Sequence, residues 1–210
     1  MAKFLFLRKK KSFLVISGCF FIFYSHAQNS FLSDLQEDRT KGFVRVNKFV
    51  SNSANITSVA LPLSILAVGL IKNDKNEIQK GSYIAESVAL STIVSITLKN
   101  TFKRPRPYVK DPTIIPLSRE GSYSFPSGHT SEAFAIATSL SISYPKWYVI
   151  VPSYLWAGSV AYSRMYLGVH YTSDVVAGAI VGAGSAFLTR KVNNWFQKKH
   201  QAHVNQKVFN

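Results

Sequence analysis

The chain has 210 residues, a length that fits one domain with a real core and leaves little room for two. Hydrophobic residues make up 47% and the formal net charge is +15, a balance that points to nucleic acid, an anionic membrane surface or a phosphate-bearing substrate. A single cysteine, Cys19, excludes an internal disulfide. Nucleic acid is disfavoured as a partner, because the aromatic residues sit within or beside apolar runs rather than interleaved with basic ones.

The N-terminus has the layout of an export signal. Lys9, Lys10 and Lys11 precede a short apolar run over 13–24, and Ser25-His26-Ala27 places small residues three apart. Residues 1–27 are therefore expected to be a secretory signal cleaved after Ala27 or an uncleaved signal anchor. Ile16-Ser17-Gly18-Cys19 superficially resembles a lipoprotein processing site, but the residues that follow it stay apolar. Residues 28–52 are polar and mixed in charge and read as an exterior segment, a loop or a surface helix.

Five apolar stretches follow, over 56–71, 83–98, 133–143, 147–162 and 175–188. None shows strict alternation, so the expected fold is all-α, a helical bundle of five or six apolar helices counting the N-terminal segment. Each stretch is shorter than the ~20 residues that a bilayer core demands, and mean hydropathy is only +0.06, so a soluble helical core stays open beside a transmembrane bundle. Charge favours the membrane. With the chain emerging outside after residue 27, Lys72, Lys75, Lys80, Lys146, Arg190 and Lys191 all fall on the inner side. Gly178, Gly182 and Gly184 among alanines suit close helix approach. A single domain is expected over 53–190, followed by a basic tail over 191–210.

The exception to the charge rule is a basic stretch from Lys99 to Lys110 on the outer side, and it invites a chemical explanation. Three polar segments fall at helix ends on that same side: Lys99 to Pro107, Ser124 to Thr130, and Ser163-Arg164 with His170 and Asp174. Two histidines, fixed cations and a carboxylate without a Cys/His metal pattern point to phosphoryl chemistry. His170 and Asp174 are four apart and would share a helix face, so the carboxylate can take the proton of one imidazole nitrogen and free the other to attack. His129 follows Pro126-Ser127-Gly128 where a helix should begin. There, amide groups, a bare glycine backbone and the Ser127 hydroxyl can surround phosphate oxygens, and His129 can act as general acid. Arg106 and Arg164 can bind equatorial oxygens as forks, and Lys99 adds a point charge.

Taken together these residues resemble the type 2 phosphatidic acid phosphatase superfamily. Its pattern is Lys-x6-Arg-Pro, then Pro-Ser-Gly-His, then Ser-Arg-x5-His-x3-Asp. Lys99, Arg106 and Pro107, Pro126 to His129, and Ser163, Arg164, His170 and Asp174 match every fixed position. The resemblance covers roughly residues 80–190 and implies a phosphohistidine at His170 oriented by Asp174, with His129 protonating the leaving group. It further implies that Lys99, Arg106, Ser127, Gly128 and Arg164 hold the phosphoryl oxygens, with no metal or other cofactor. The substrate implied is a phosphorylated lipid, a monoester or a diphosphate, at the periplasmic face of a bacterial inner membrane. A soluble periplasmic acid phosphatase and a non-catalytic phospholipid-binding membrane protein are the alternatives.

Overall fold

The computed structural model describes residues 31–37 and 39–208; the expected signal over 1–27 and Cys19 lie outside them. A helical segment over 31–37 leads into five long helices and one short one. These are α1 (Lys41–Ile71), α2 (Lys75–Phe102), the single turn α3 (Pro107–Lys110), α4 (Gly128–Ser143), α5 (Trp147–Tyr166) and α6 (Thr172–Val208). No strand occurs among the described residues, as the lack of alternation predicts.

The helices outrun the apolar stretches that announce them. α1 starts at Lys41, inside the segment read as exterior, capped by the Thr40 hydroxyl, which accepts from the Phe43 amide. α2 starts at Lys75, where Asp74 caps the Asn76 and Glu77 amides, so most of the expected inner loop is helix. α6 carries the basic tail as far as Val208. The cause is local. Capping groups and charged helix formers extend a helix well beyond its buried face, and hydropathy registers only that face. Three helices, spanning Lys41–Ile71, Lys75–Lys110 and Thr172–Lys199, are long and apolar enough to cross a membrane.

The surface settles the balance between water and lipid. Ile56, Val59, Leu63 and Leu70 on α1, Ile93 and Ile96 on α2, and Ile180, Phe187 and Leu188 on α6 are all exposed. The interior holds Asn47, Ser51, Ser87, Ser91, Thr138 and Ser139. Aliphatic groups outside and small hydroxyls inside are the arrangement of helices packed in lipid, where hydrophobic burial offers no drive and close contact with hydrogen bonding does. The Trp156 indole donates to Ser53 Oγ at 3.0 Å, and the Tyr83 hydroxyl donates to the Ala186 carbonyl at 2.9 Å. Pro62 and Pro152 lie inside α1 and α5, as membrane helices tolerate.

Two glycines set the α4–α6 seam. A Cβ at Gly178 would stand 2.7 Å from the Ser127 carbonyl oxygen, and one at Gly182 would stand 2.1 Å from that of Ser131. Backbone meets backbone there, and no larger residue fits. Gly184, grouped with these two by composition, has nothing near its missing Cβ. The seam brings the start of α6 against the start of α4. The ends of α2 and α5 reach the same end of the bundle, while the turns 72–74 and 144–146 close the other.

Gly182→Ala is expected to destabilise the purified, detergent-solubilised protein by about 1–3 kcal/mol through overpacking, a fall of roughly 2–12 °C in melting temperature. Gly184→Ala is expected to leave the melting temperature unchanged within about 1 °C, since the added methyl meets open space.

Candidate active site

Three segments converge where four helices end. Lys99 is in the last turn of α2, and Arg104 and Arg106 follow in the extended stretch before α3. Ser127 caps α4, and Gly128 and His129 open it. Arg164 is in the last turn of α5, and His170 and Asp174 flank the start of α6. The eight residues singled out in the sequence thus share one end of the bundle. His170, Arg164 and Arg106 are buried at 1%, 2% and 4% exposure.

Asp174 is the point of contact between the segments. It is fully buried, and its Oδ1 accepts from Arg104 Nη1 at 2.6 Å. Its Oδ2 accepts from the Ser124 hydroxyl and from the Tyr171 amide, the latter at 3.0 Å. The Asp174 carbonyl accepts from the Ser127 amide at 3.0 Å, which joins the α6 start to the α4 start. His170 and Asp174 do not share a helix face as expected. α6 begins at Thr172, so His170 lies in the turn before it, and the turn closed by the Asp174 side chain onto the Tyr171 amide sets the pair face to face. His170 Nδ1 stands 3.5 Å from Asp174 Oδ2, facing it but too far for a formed hydrogen bond.

The tautomer follows from the other ring nitrogen. His170 Nε2 lies 3.3 Å from Arg106 Nη1, and a guanidinium can only donate, so Nε2 carries a lone pair and Nδ1 the proton. The free lone pair therefore points toward the cations. Burial pushes the His170 pKa down to about 3, against the opposing pull of Asp174, and so keeps the ring neutral and nucleophilic.

The cations are held by the loop before α4. Lys99 Nζ donates to the Tyr123 carbonyl at 2.6 Å. Arg106 Nε donates to the Ser122 carbonyl at 2.8 Å, and its Nη1 to that of Val169 at 2.9 Å. Arg164 donates from Nη1 to Ser51 Oγ and from Nη2 to Glu120 Oε1, each at 2.5 Å, while its buried Nε has no partner. His129 lies among Arg164, Glu120, Arg106 and Lys99, its strongest electrostatic neighbours. Ser127 Oγ is fully buried and accepts from the Thr130 hydroxyl at 2.9 Å. A missing Cβ at Gly128 would be 3.9 Å from Lys99 Cε, so the helix start and the lysine adjoin. Fixed cations, helix-start amides and a neutral buried imidazole can together receive a tetrahedral anion and attack it. No cluster of metal-ligating groups occurs among the described residues.

Residues 80–198, more than half of the chain, match the model of the PAP2 superfamily. The chain belongs to the PAP2 superfamily. It is 34% identical over 113 residues to a lipid A 4'-phosphatase of Bacteroides thetaiotaomicron, covering 49% of this chain and 50% of that one. It is 32% identical over 117 residues to an undecaprenyl-diphosphatase of Sulfolobus acidocaldarius, covering 53% and 56%. The chain thus spans about half the length of these relatives. Among solved structures, the Aquifex aeolicus LpxE crystal structure superposes with a TM-score of 0.65 at 27% identity, covering 79% of this chain and 95% of that one. A transmembrane PAP2-type phosphatidylglycerolphosphate phosphatase from Bacillus subtilis superposes at 0.70 and 24% identity, covering 81% and 86%, a likeness of fold.

Within this PAP2 site, four partners escape the sequence reading. Arg104 neutralises Asp174 and stacks over the Tyr171 ring at 4.0 Å. Ser124 completes the carboxylate's bonding, Glu120 pairs with Arg164, and Ser51 supports Arg164 from α1. Arg104 and Ser124 lie inside the motif segments and could have been suspected there. Nothing local marks Glu120 or Ser51.

The depressed pKa of His170 has a measurable sign. Between pH ~6.5 and about 3 the unfolded chain binds a proton at this position that the folded chain does not. Stability from this group is full above pH ~6.5 and is lost as pH falls toward about 3. In a histidine nitrogen NMR titration of the purified protein, the His170 ring is expected to stay neutral at pH ~5, where an ordinary imidazole is mostly protonated. A midpoint near 6.5 would show that the ring is solvated and the buried geometry wrong.

Proposed function

We propose that the protein is a membrane phosphatase that hydrolyses phosphorylated lipids, monoesters or diphosphates, through a phosphohistidine at His170. The observation that carries this reading is the buried His170, its Nε2 3.3 Å from Arg106 Nη1 and its Nδ1 facing Asp174 at 3.5 Å. In the first step Nε2 attacks phosphorus, and a P–N bond forms as the P–O bond to the lipid breaks. Asp174 offsets the positive charge that develops on the ring. His129 gives its proton to the departing oxygen. Lys99, Arg106, Arg164, the Ser127 hydroxyl and the Gly128 amide meet the charge on the equatorial oxygens, where pre-placed donors have most effect. In the second step water, deprotonated by His129, displaces Nε2 and yields inorganic phosphate.

The lipid class rests on the exposed aliphatic belt and on the relatives, whose names specify lipid A and undecaprenyl diphosphate. The site lies at a helix end, where a headgroup is reached from the bilayer surface. Basic residues at the opposite end, Lys72, Lys80, Lys146 and Arg190, support a cytoplasmic position for that end and a periplasmic one for the site.

His170→Ala is expected to lose phosphate release from lipid phosphates by at least about 10³-fold, as loss of a nucleophile does. Acid-stable or base-stable labelling distinguishes the adduct: wild type quenched during turnover should carry base-stable, acid-labile phosphate, and the variant none. Equal labelling of both would assign the nucleophile elsewhere.

Topology is tested in a Cys19→Ser background with single cysteines at Ser122 and Lys146. In cells with a permeable outer and an intact inner membrane, an impermeant thiol reagent is expected to label position 122 and spare 146. The reverse pattern would place the site in the cytoplasm.

A further inference from the structure

The loop that leads into α4 binds Lys99, Arg106 and Arg164. Tyr123 gives its carbonyl to Lys99, Ser122 gives its carbonyl to Arg106, and Glu120 gives its carboxylate to Arg164. The first two are neutral backbone acceptors that a bound phosphoryl group can leave in place. Glu120 is different. It is a full negative charge, seated on a guanidinium that is otherwise 98% enclosed in protein, at a site built to receive an anion. Glu120 itself is partly exposed, at 27%, and lines an open cleft of about 470 Å³ with Arg104, Arg106 and Tyr123. Its side chain can therefore swing into solvent without repacking the core.

We propose that Glu120 is a built-in competitor for the phosphoryl group, seated on Arg164 when the site is empty and displaced into the cleft when an anion arrives. This rests on reading the cluster as a phosphoryl site. The reason lies in the last step of the cycle. Inorganic phosphate leaves a pocket whose remaining groups are cations and amide donors, and a pocket of that kind holds its product tightly. A partly exposed carboxylate at the edge of the cleft supplies a replacement anion at the moment of release, so Arg164 is never left bare. The burial cost that would push the Glu120 carboxyl up is outweighed by Arg164, which holds it below the usual carboxylate range and so keeps it charged for this role. Arg164 Nε, buried with no partner beside the occupied Nη2, shows that the carboxylate does not use the whole fork. A phosphoryl group that takes both positions makes the exchange favourable. Glu120 acts through Arg164 and is an affinity-setting residue rather than a catalytic one.

The test is calorimetric binding of inorganic phosphate and of vanadate to the full-length, detergent-solubilised protein, with wild type, Glu120→Gln, Glu120→Asp and Glu120→Ala. Glu120→Gln, which keeps the shape and removes the charge, is expected to bind both anions about tenfold more tightly. Glu120→Ala should follow it, and Glu120→Asp should stay near wild type. In turnover, Glu120→Gln should show a lower kcat, a pre-steady-state burst and stronger inhibition by added phosphate, because release becomes slow. A residue that only props the loop would give the opposite result, weaker anion binding in Glu120→Gln and Glu120→Ala. Wild-type binding with unchanged or weaker binding in both variants overturns this inference alone. Absence of anion binding in every protein overturns the phosphoryl-site reading and this inference with it.

Discussion

The buried carboxylate of Asp174 makes the three polar segments one site. A charge with no exposure survives only if its oxygens are well supplied with donors, since an unpaired buried carboxylate costs several kcal/mol. Here the donors come from Arg104 after α2, Ser124 before α4 and the Tyr171 amide before α6. Each belongs to a different segment, so the carboxylate is satisfied only when all three have docked. The same group faces His170 Nδ1 across 3.5 Å, while the Arg106 guanidinium at Nε2 sets the ring's tautomer. Folding of this end and placement of the His170 ring are therefore coupled: a conformation that leaves Asp174 short of a donor also leaves His170 misdirected.

The bundle can place such a charge because of how its helices meet. In lipid, apolar side chains gain nothing by facing inward, and contact requires small residues. Gly178 and Gly182 let α6 lie against the backbone of α4, and that approach puts the Ser127 amide on the Asp174 carbonyl. Moving the helices apart by the width of a methyl group would break that bond. The cations also need the end of the bundle. Within hydrocarbon, Lys99, Arg106 and Arg164 would each demand a counter-ion; at the helix ends, loop carbonyls serve Lys99 and Arg106, and the Glu120 carboxylate serves Arg164.

Much of this was legible in the sequence, for a chemical reason. Lys99, Arg106, His129, Arg164, His170 and Asp174 are residue types that the proposed chemistry requires, at spacings that helix ends impose, and all converge. The all-α fold and the helix order were legible too, since the apolar stretches lack alternation and the charges between them fall on alternate sides. What escaped belongs to partners whose residue type carries no signal. Ser51 is one serine among many on α1, and Glu120 reads as a solvated loop acid until Arg164 is found beneath it. Helix ends escaped because Thr40 and Asp74 fix them by capping, which hydropathy ignores. The facing of His170 and Asp174 was anticipated, but on the wrong framework: a spacing of four serves a capping turn as well as a helix face.

The matched family region begins at residue 80, yet one of its phosphate-site cations depends on what precedes it. Arg164 Nη1 rests on Ser51, from the middle of α1. Just before α1, Arg39 donates to the Ile115 carbonyl and to the Tyr166 carbonyl, each at 2.7 Å, and Gln36 accepts from the Ile115 amide. These bonds tie the loop that carries Glu120 to the end of the helix that carries Arg164. The polar stretch over 28–52 is thus more than an exterior leader to the first apolar helix. Its second half is that helix, and its first half clamps the two elements whose separation sets the Glu120–Arg164 distance. A guanidinium has five donors, and a rigid site must account for each. For Arg164, the part of the chain outside the matched family region supplies one partner and the substrate-side loop another, and Nε is left facing neither. The geometry of the candidate site is set by contacts from both sides of residue 80, so removing α1 would take one partner from Arg164 while leaving every motif residue in the sequence.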